Sequence, residues 1–239
     1  MNHEHVEMLR LLALERLGLE LSPKQLEQFS LYGDLLVEWN KKVNLTNITD
    51  PEGIILKHFL DSLTLTKYLQ GNKLVDIGTG AGFPGIPLKI FLPDVEILLV
   101  DSLAKRLDFL QVVISELNLQ KIETIHSRAE DLGRNPQYRE KFDCVTSRAV
   151  ARLPVLLEYT VPLLKVGGIF LAAKGAQVEE EIEESNKALQ LLGAKIKETH
   201  FLNLGPEAEH RAIVIVEKTR STPSTYPRKA GTPSKKPLI

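Results

Sequence analysis

One stretch of this chain has the residue types and spacing to do chemistry. Leu74-Val75-Asp76-Ile77-Gly78-Thr79-Gly80-Ala81-Gly82-Phe83-Pro84-Gly85 leaves a short apolar run and enters another. Glycines at such a turn let the backbone bend tightly and let a ligand approach without meeting a Cβ. The spacing is G-x-G-x-G. A pyrophosphate-binding loop of the form G-x-G-x-x-G needs glycine where Phe83 stands. Asp76, two residues before Gly78, repels a pyrophosphate and suits a cationic ligand that carries an amino group. Asp101 lies 21 residues after the middle glycine, Gly80, where an acid accepts hydrogen bonds from ribose hydroxyls. A ligand with adenosine at one end and ammonium plus sulfonium at the other meets all three demands. S-adenosylmethionine is that ligand, and S-adenosylhomocysteine is its product. The competing reading is a purely structural turn, and the two placed acids argue against it.

Further along, His126-Ser127-Arg128-Ala129-Glu130-Asp131 follows the third strand candidate. Backbone there fits an adenine edge, with Glu130 accepting from its amino group. The same acids equally fit the positive end of a helix dipole. Candidate cations for a phosphate-bearing partner are Arg128, Arg148, Lys174, Arg211, Arg228 and Lys229. Each also fits an ion pair or plain surface charge, because exposed basic residues are common. Arg148 follows a strand end at the expected mouth of the pocket and is the one candidate catalytic residue. Cys144, the single cysteine, sits in an apolar strand candidate and reads as packing.

These residues need a scaffold, and the chain supplies one. Its 239 residues are 43% apolar and 26% charged, which excludes a disordered chain and a collagen-like one. One cysteine excludes a disulfide framework and suits a reducing, cytoplasmic setting. Met1-Asn2-His3-Glu4-His5 has no signal-peptide pattern, and no apolar run approaches a membrane span. No Cys/His spacing suggests a metal site. Residues 1–70 read as helical, with Ser22-Pro23-Lys24-Gln25 as a capping box and Asp50-Pro51-Glu52 as a later start. From 71 to 217 strand and helix candidates alternate, which means βαβ units and a parallel sheet. The helix candidates include 102–119, 153–164 and 178–192, and the strand candidates include 169–173. The last two strands, 195–203 and 211–217, are joined only by 204–210. That link permits an antiparallel hairpin but no parallel crossover.

The chain closes on a different composition. From Lys218 to Ile239 there are six basic residues, no acid and four prolines. The expectation is a basic tail, 218–239, without regular helix or central strand. Such an arm suits contact with a phosphate backbone, and it equally suits a solvated tail.

With these residues in place, the chain resembles the RsmG/GidB family, the bacterial 16S ribosomal RNA small-subunit guanine-N7 methyltransferases. The resemblance covers nearly the whole chain. It rests on Trp39-Asn40 with Asn44-Leu45-Thr46, His58-Phe59-Leu60-Asp61-Ser62, Asp76 through Pro87, Ser147-Arg148-Ala149, Ala173-Lys174-Gly175, and Tyr226-Pro227-Arg228-Lys229 through Pro237. It implies a class I Rossmann-like methyltransferase fold, a seven-stranded, mostly parallel sheet with an antiparallel last strand plus an N-terminal helical extension. It also implies cofactor contacts at Gly78, Phe83, Ala129, Glu130 and Arg148. The partner it implies is 16S ribosomal RNA or the small-subunit particle, and nothing demands more than a monomer.

The chemistry fits. Thr146-Ser147-Arg148-Ala149 replaces the Asn/Asp-Pro-Pro-aromatic run of amino-group methyltransferases. Guanine N7 offers an in-plane lone pair and no proton to remove, so positioning carries most of the catalysis. Rival readings are a methyltransferase for a protein or small molecule, an NAD-dependent oxidoreductase, and a non-catalytic RNA-binding module.

Overall fold

A computed structural model describes residues 1–175, 178–202 and 211–239. The N-terminal part holds α1 (His3–Leu17), α2 (Pro23–Asn40), α3 (Pro51–Ile54), a wide π turn (Ile55–Leu60) and α4 (Asp61–Leu63). Ser22 and Gln25 close the capping box that opens α2, with Pro23 in its first turn. Asp50 accepts from the Gly53 N–H to start α3.

The rest alternates strand and helix: β1 (Lys73–Ile77), α5 (Gly85–Phe91), β2 (Glu96–Asp101), α6 (Ala104–Glu116), β3 (Ile122–His126), α7 (Ala129–Arg134), β4 (Phe142–Arg148), α8 (Leu153–Thr160) and β5 (Leu164–Lys174). It ends with α9 (Val178–Glu184), α10 (Asn186–Leu192), β6 (Ala194–Leu202), β7 (Arg211–Lys218) and α11 (Thr232–Lys235). The seven strands lie in the order β3-β2-β1-β4-β5-β7-β6. Strands β1 to β5 are parallel, and β7 runs antiparallel to both β5 and β6. The expected hairpin therefore forms; its connection, 204–210, lies outside the described residues.

Strand alternation sorts the core into two layers. Leu74, Ile97, Leu99, Cys144 and Leu171 pack with Leu9, Phe29, Leu36, Phe59 and Phe109, so α1, α2, the π turn and α6 cover one sheet face. Val75, Leu98, Val145, Phe170 and Val214 face the other way and meet Leu132, Leu156 and Leu189. Cys144 is buried and its thiol pKa is pushed up by that burial, in keeping with a packing role.

Three sequence expectations need correction. The helix expected over 153–164 forms as α8 to Thr160 and closes in a tighter 3-10 turn over Val161–Leu163, where Pro162 has no N–H for the α pattern. The chain then enters β5 at Leu164, earlier than the expected 169. The helix expected over 178–192 breaks at Ser185, whose hydroxyl donates to the Glu181 carbonyl at 2.6 Å in competition with the backbone ladder. The C-terminal segment is not a free arm. Lys218 ends β7, is 0% exposed, and pairs with Glu140 at 2.7 Å. Arg134 and Arg139 hold the carbonyls of Thr222, Pro223, Tyr226 and Pro227. The segment also forms one helical turn, α11, with Pro233 where no helical N–H is needed. Among the described residues, no helix is long and apolar enough to cross a membrane.

Candidate functional site

The carboxyl ends of β1 to β5 share one sheet edge, and the chain reverses its direction of strand addition between β1 and β4. Ligands of open α/β sheets bind at such switch points. A cavity of about 450 Å³ opens there, lined among others by Gly78, Gly80, Phe83, Asp101, Glu130 and Arg148.

The glycine loop is built as its composition requires. Gly78 and Thr79 N–H both donate to the Val100 carbonyl of β2, at 2.9 and 3.0 Å. Gly80 has φ +61°, and a Cβ there would meet nothing closer than 3.9 Å, so its bare backbone faces open cavity. Gly82 differs. A Cβ there would come within 2.6 Å of Ile86 and 2.9 Å of Leu110, and the residue does not line the cavity.

Asp101 sits at the cavity wall. Its Oδ2 accepts from the Gly80 N–H at 2.9 Å and from Arg106 at 3.3 Å, and its Oδ1 accepts from the Leu103 N–H at 2.9 Å. A carboxylate oxygen has two lone pairs, so Oδ1 retains capacity for a ribose hydroxyl. Ala129 and Glu130 begin α7 and line the same wall. Their N–H groups are among those a helix start leaves without intrahelical partners. Glu130 is 3% exposed, and its Oε1 accepts from the Gly231 N–H at 2.8 Å.

Asp76 corrects the expectation placed on it. It is 0% exposed and does not line the cavity. Its Oδ2 accepts from Thr79 Oγ1 at 2.7 Å and the Gly85 N–H at 3.0 Å. Its Oδ1 accepts from Thr146 Oγ1 at 3.2 Å. The β1–β4 register sets Thr146 directly beside Asp76. Asp76 therefore braces the loop from behind, turned away from the cavity. Burial raises its pKa to about 6 against the opposing effect of those donors.

The basic candidates divide by partner. Arg148 donates to Asp61 at 2.8 Å and to the Lys57 carbonyl at 3.0 Å, and its guanidinium lies 5.0 Å from the Phe83 ring centroid. Arg211 reaches the other oxygen of Asp61 at 3.1 Å. Lys174 pairs with Glu181 at 2.6 Å. Arg228 holds buried Glu158 in a two-pronged ion pair, so that cation is spent inside the fold. Arg128 and Lys229 are exposed. A second cavity, about 800 Å³, is lined by Lys57, Asp61, Lys174, Glu181 and Arg211, and shares His58, Arg148 and Ala149 with the first.

His58, which the sequence offers only within a motif, is central to the site. Its ring stacks on Phe83 at 4.4 Å, and Nε2 lies 2.9 Å from Thr46 Oγ1. Arg148 Nη2 and the Lys57 carbonyl are 3.3 and 3.1 Å from Nδ1. Burial, then the Arg148 charge, lower its pKa to about 4, so the ring is neutral near pH 7. Asn40 holds the loop that carries Thr46, donating to the Thr46 carbonyl at 2.9 Å and accepting from the Leu45 and Thr46 N–H groups. That is the physical content of the Trp39-Asn40…Leu45-Thr46 motif. Tyr159, also unforeseen, lines the first cavity.

Residues 25–213 match the family described as "GidB: rRNA small subunit methyltransferase G". Ribosomal RNA small subunit methyltransferase G of Desulfitobacterium hafniense (strain Y51) is 70% identical over 99% of each chain. The protein of the same name from Exiguobacterium sibiricum is 52% identical, over 95% of this chain and 96% of its own. Among solved structures, a SAM dependent methyltransferase from Aquifex aeolicus aligns at TM-score 0.53 and 17% identity, over 71% of this chain and 94% of that one. M. jannaschii TYW2, in complex with AdoMet, aligns at TM-score 0.52 and 18% identity, over 72% of this chain and 77% of that one. These two likenesses concern the fold alone.

Proposed function

This chain belongs to the GidB family of small-subunit ribosomal RNA methyltransferases, and from that premise we propose that it methylates N7 of one guanine in 16S ribosomal RNA. The cofactor is S-adenosylmethionine, which when bound supplies an electrophilic methyl group on a sulfonium. The residues present fit it. Gly80 leaves bare backbone at the cavity, Asp101 Oδ1 keeps room for a ribose hydroxyl, and Ala129 with Glu130 offers N–H and carboxylate to an adenine edge.

The observation that carries the reading is the meeting of the two cavities at His58, Arg148 and Ala149. The acceptor base enters through the second cavity, whose Lys57, Lys174 and Arg211 suit a phosphate backbone. Both ring nitrogens of His58 are hydrogen-bonded, and each carboxylate oxygen of nearby Asp61 is paired with an arginine. An acceptor that brings its own lone pair, as guanine N7 does, suits this arrangement. The chain's contribution is to orient the base, held by the Phe83–His58–Arg148 stack, and to exclude water. The base must be unstacked or in a loop to reach the junction.

The test is incubation with labelled S-adenosylmethionine and small subunits, or their naked RNA, from a strain lacking this modification. Label recovered as 7-methylguanosine at one 16S position supports the reading. Label in another base, in protein, or in a small molecule overturns it.

A further inference from the structure

Residues after β7 reach back across the sheet edge and touch the wall of the cofactor cavity. The Gly231 N–H donates to Glu130 Oε1 at 2.8 Å, a contact spanning 101 residues of sequence. That donor lies outside the sheet and outside the helices of its alternating units.

The segment is fastened where it makes this contact. The Arg228 guanidinium and its backbone N–H all donate to Glu158, which is 0% exposed. Arg228 also donates to the Lys236 carbonyl at 2.7 Å, closing a loop around α11. Arg134 and Arg139 tie down the carbonyls just before it, and Leu238 is buried in the second core layer. A solvated basic arm has no need of a buried carboxylate, so the Glu158 pair needs a structural reason.

We propose that residues 226–236 form part of the cofactor site, with Gly231 holding the Glu130 carboxylate so that it accepts from the cofactor's adenine amino group. Arg228 is a positioning residue that acts through this segment. An acid in the first turn of a helix has several rotamers. Committing Oε1 to a fixed N–H orients Oε2, as an outer contact orients a ligating side chain. Binding and segment order are then coupled, and the coupling is reciprocal. This inference rests on the cofactor reading above and extends it.

The experiment titrates S-adenosylhomocysteine into the full chain and into its Arg228→Ala variant by calorimetry, with circular dichroism to confirm folding. Loosening the segment should raise Kd at least about tenfold, and raise KM for S-adenosylmethionine while kcat at saturation holds. In the unaltered protein, saturating S-adenosylhomocysteine should slow amide exchange at Gly231 by a comparable factor. That measurement decides the matter should Arg228→Ala fail to fold. A folded Arg228→Ala variant with unchanged Kd overturns the proposal, as does Gly231 exchange indifferent to the ligand. Failure of the unaltered protein to bind S-adenosylhomocysteine would instead overturn the cofactor reading itself.

Discussion

Asp76→Asn separates the bracing role found here from a ligand contact. The Asp76 carboxyl is fully buried, and burial moves its pKa from 3.8 to about 6. Across that window the native chain keeps a proton that the unfolded chain releases. The Asp76 contribution to stability is therefore lost as pH rises from about 4 to about 6. The displacement is worth about 3 kcal/mol in all. Asn has nothing to ionise and can keep the local hydrogen bonds. Its oxygen accepts from the Gly85 N–H, and its amide donates to a Thr146 hydroxyl that has turned its own proton away. Urea unfolding of both proteins, followed by circular dichroism between pH 4 and 8, reads the difference. Over this range the stability of the unaltered protein relative to Asp76→Asn should fall by about 2.5 kcal/mol and level off by about pH 7. S-adenosylhomocysteine affinity of the variant should stay within about threefold, under about 1 kcal/mol. Parallel pH curves, or a relative gain for the unaltered protein as pH rises, would refute the argument that burial outweighs the three donors. A large loss of ligand affinity would return Asp76 to the cavity.

Arg148→Ala should lower single-turnover methyl transfer by about 100-fold, because a preorganised cation leaves the junction of the two cavities. The fold should persist by circular dichroism, since Arg211 still pairs Asp61. Gly80→Ala and Gly82→Ala should fail differently. The first puts a Cβ into open cavity at φ +61° and should weaken S-adenosylhomocysteine binding at least about tenfold by calorimetry, with about 1–2 kcal/mol lost in folding. The second drives a Cβ onto Ile86 and Leu110 and should cost about 2–5 kcal/mol of stability in urea. Replacing exposed Lys229, Lys235 and Lys236 together by Gln should flatten the salt dependence of RNA binding by about 2–3 in log–log slope. An unchanged slope would remove these three from the RNA contact.

What could be read from the residues was local chemistry. The glycine spacing, the Ser22 capping box, the Asp50-Pro51 start and the position of Asp101 at a strand end all depend on neighbours within a few residues. The alternation of strands and helices likewise follows from short-range periodicity, and the closing hairpin from the shortness of its link. What only tertiary structure decided was the direction and partner of individual side chains. Asp76 lies one residue inside the end of β1, so its side chain falls between sheet and α5 rather than at the mouth. Strand alternation carried that signal, but only sheet register put Thr146 beside it. Arg148 and His58 meet across 90 residues, Arg228 and Glu158 across 70, and Glu130 and Gly231 across 101. Charge in the C-terminal segment could be counted from the sequence. Which cation stayed in solvent and which was spent on a buried carboxylate depended on where β7 delivered the chain, because an ion pair forms only where packing brings its two halves together.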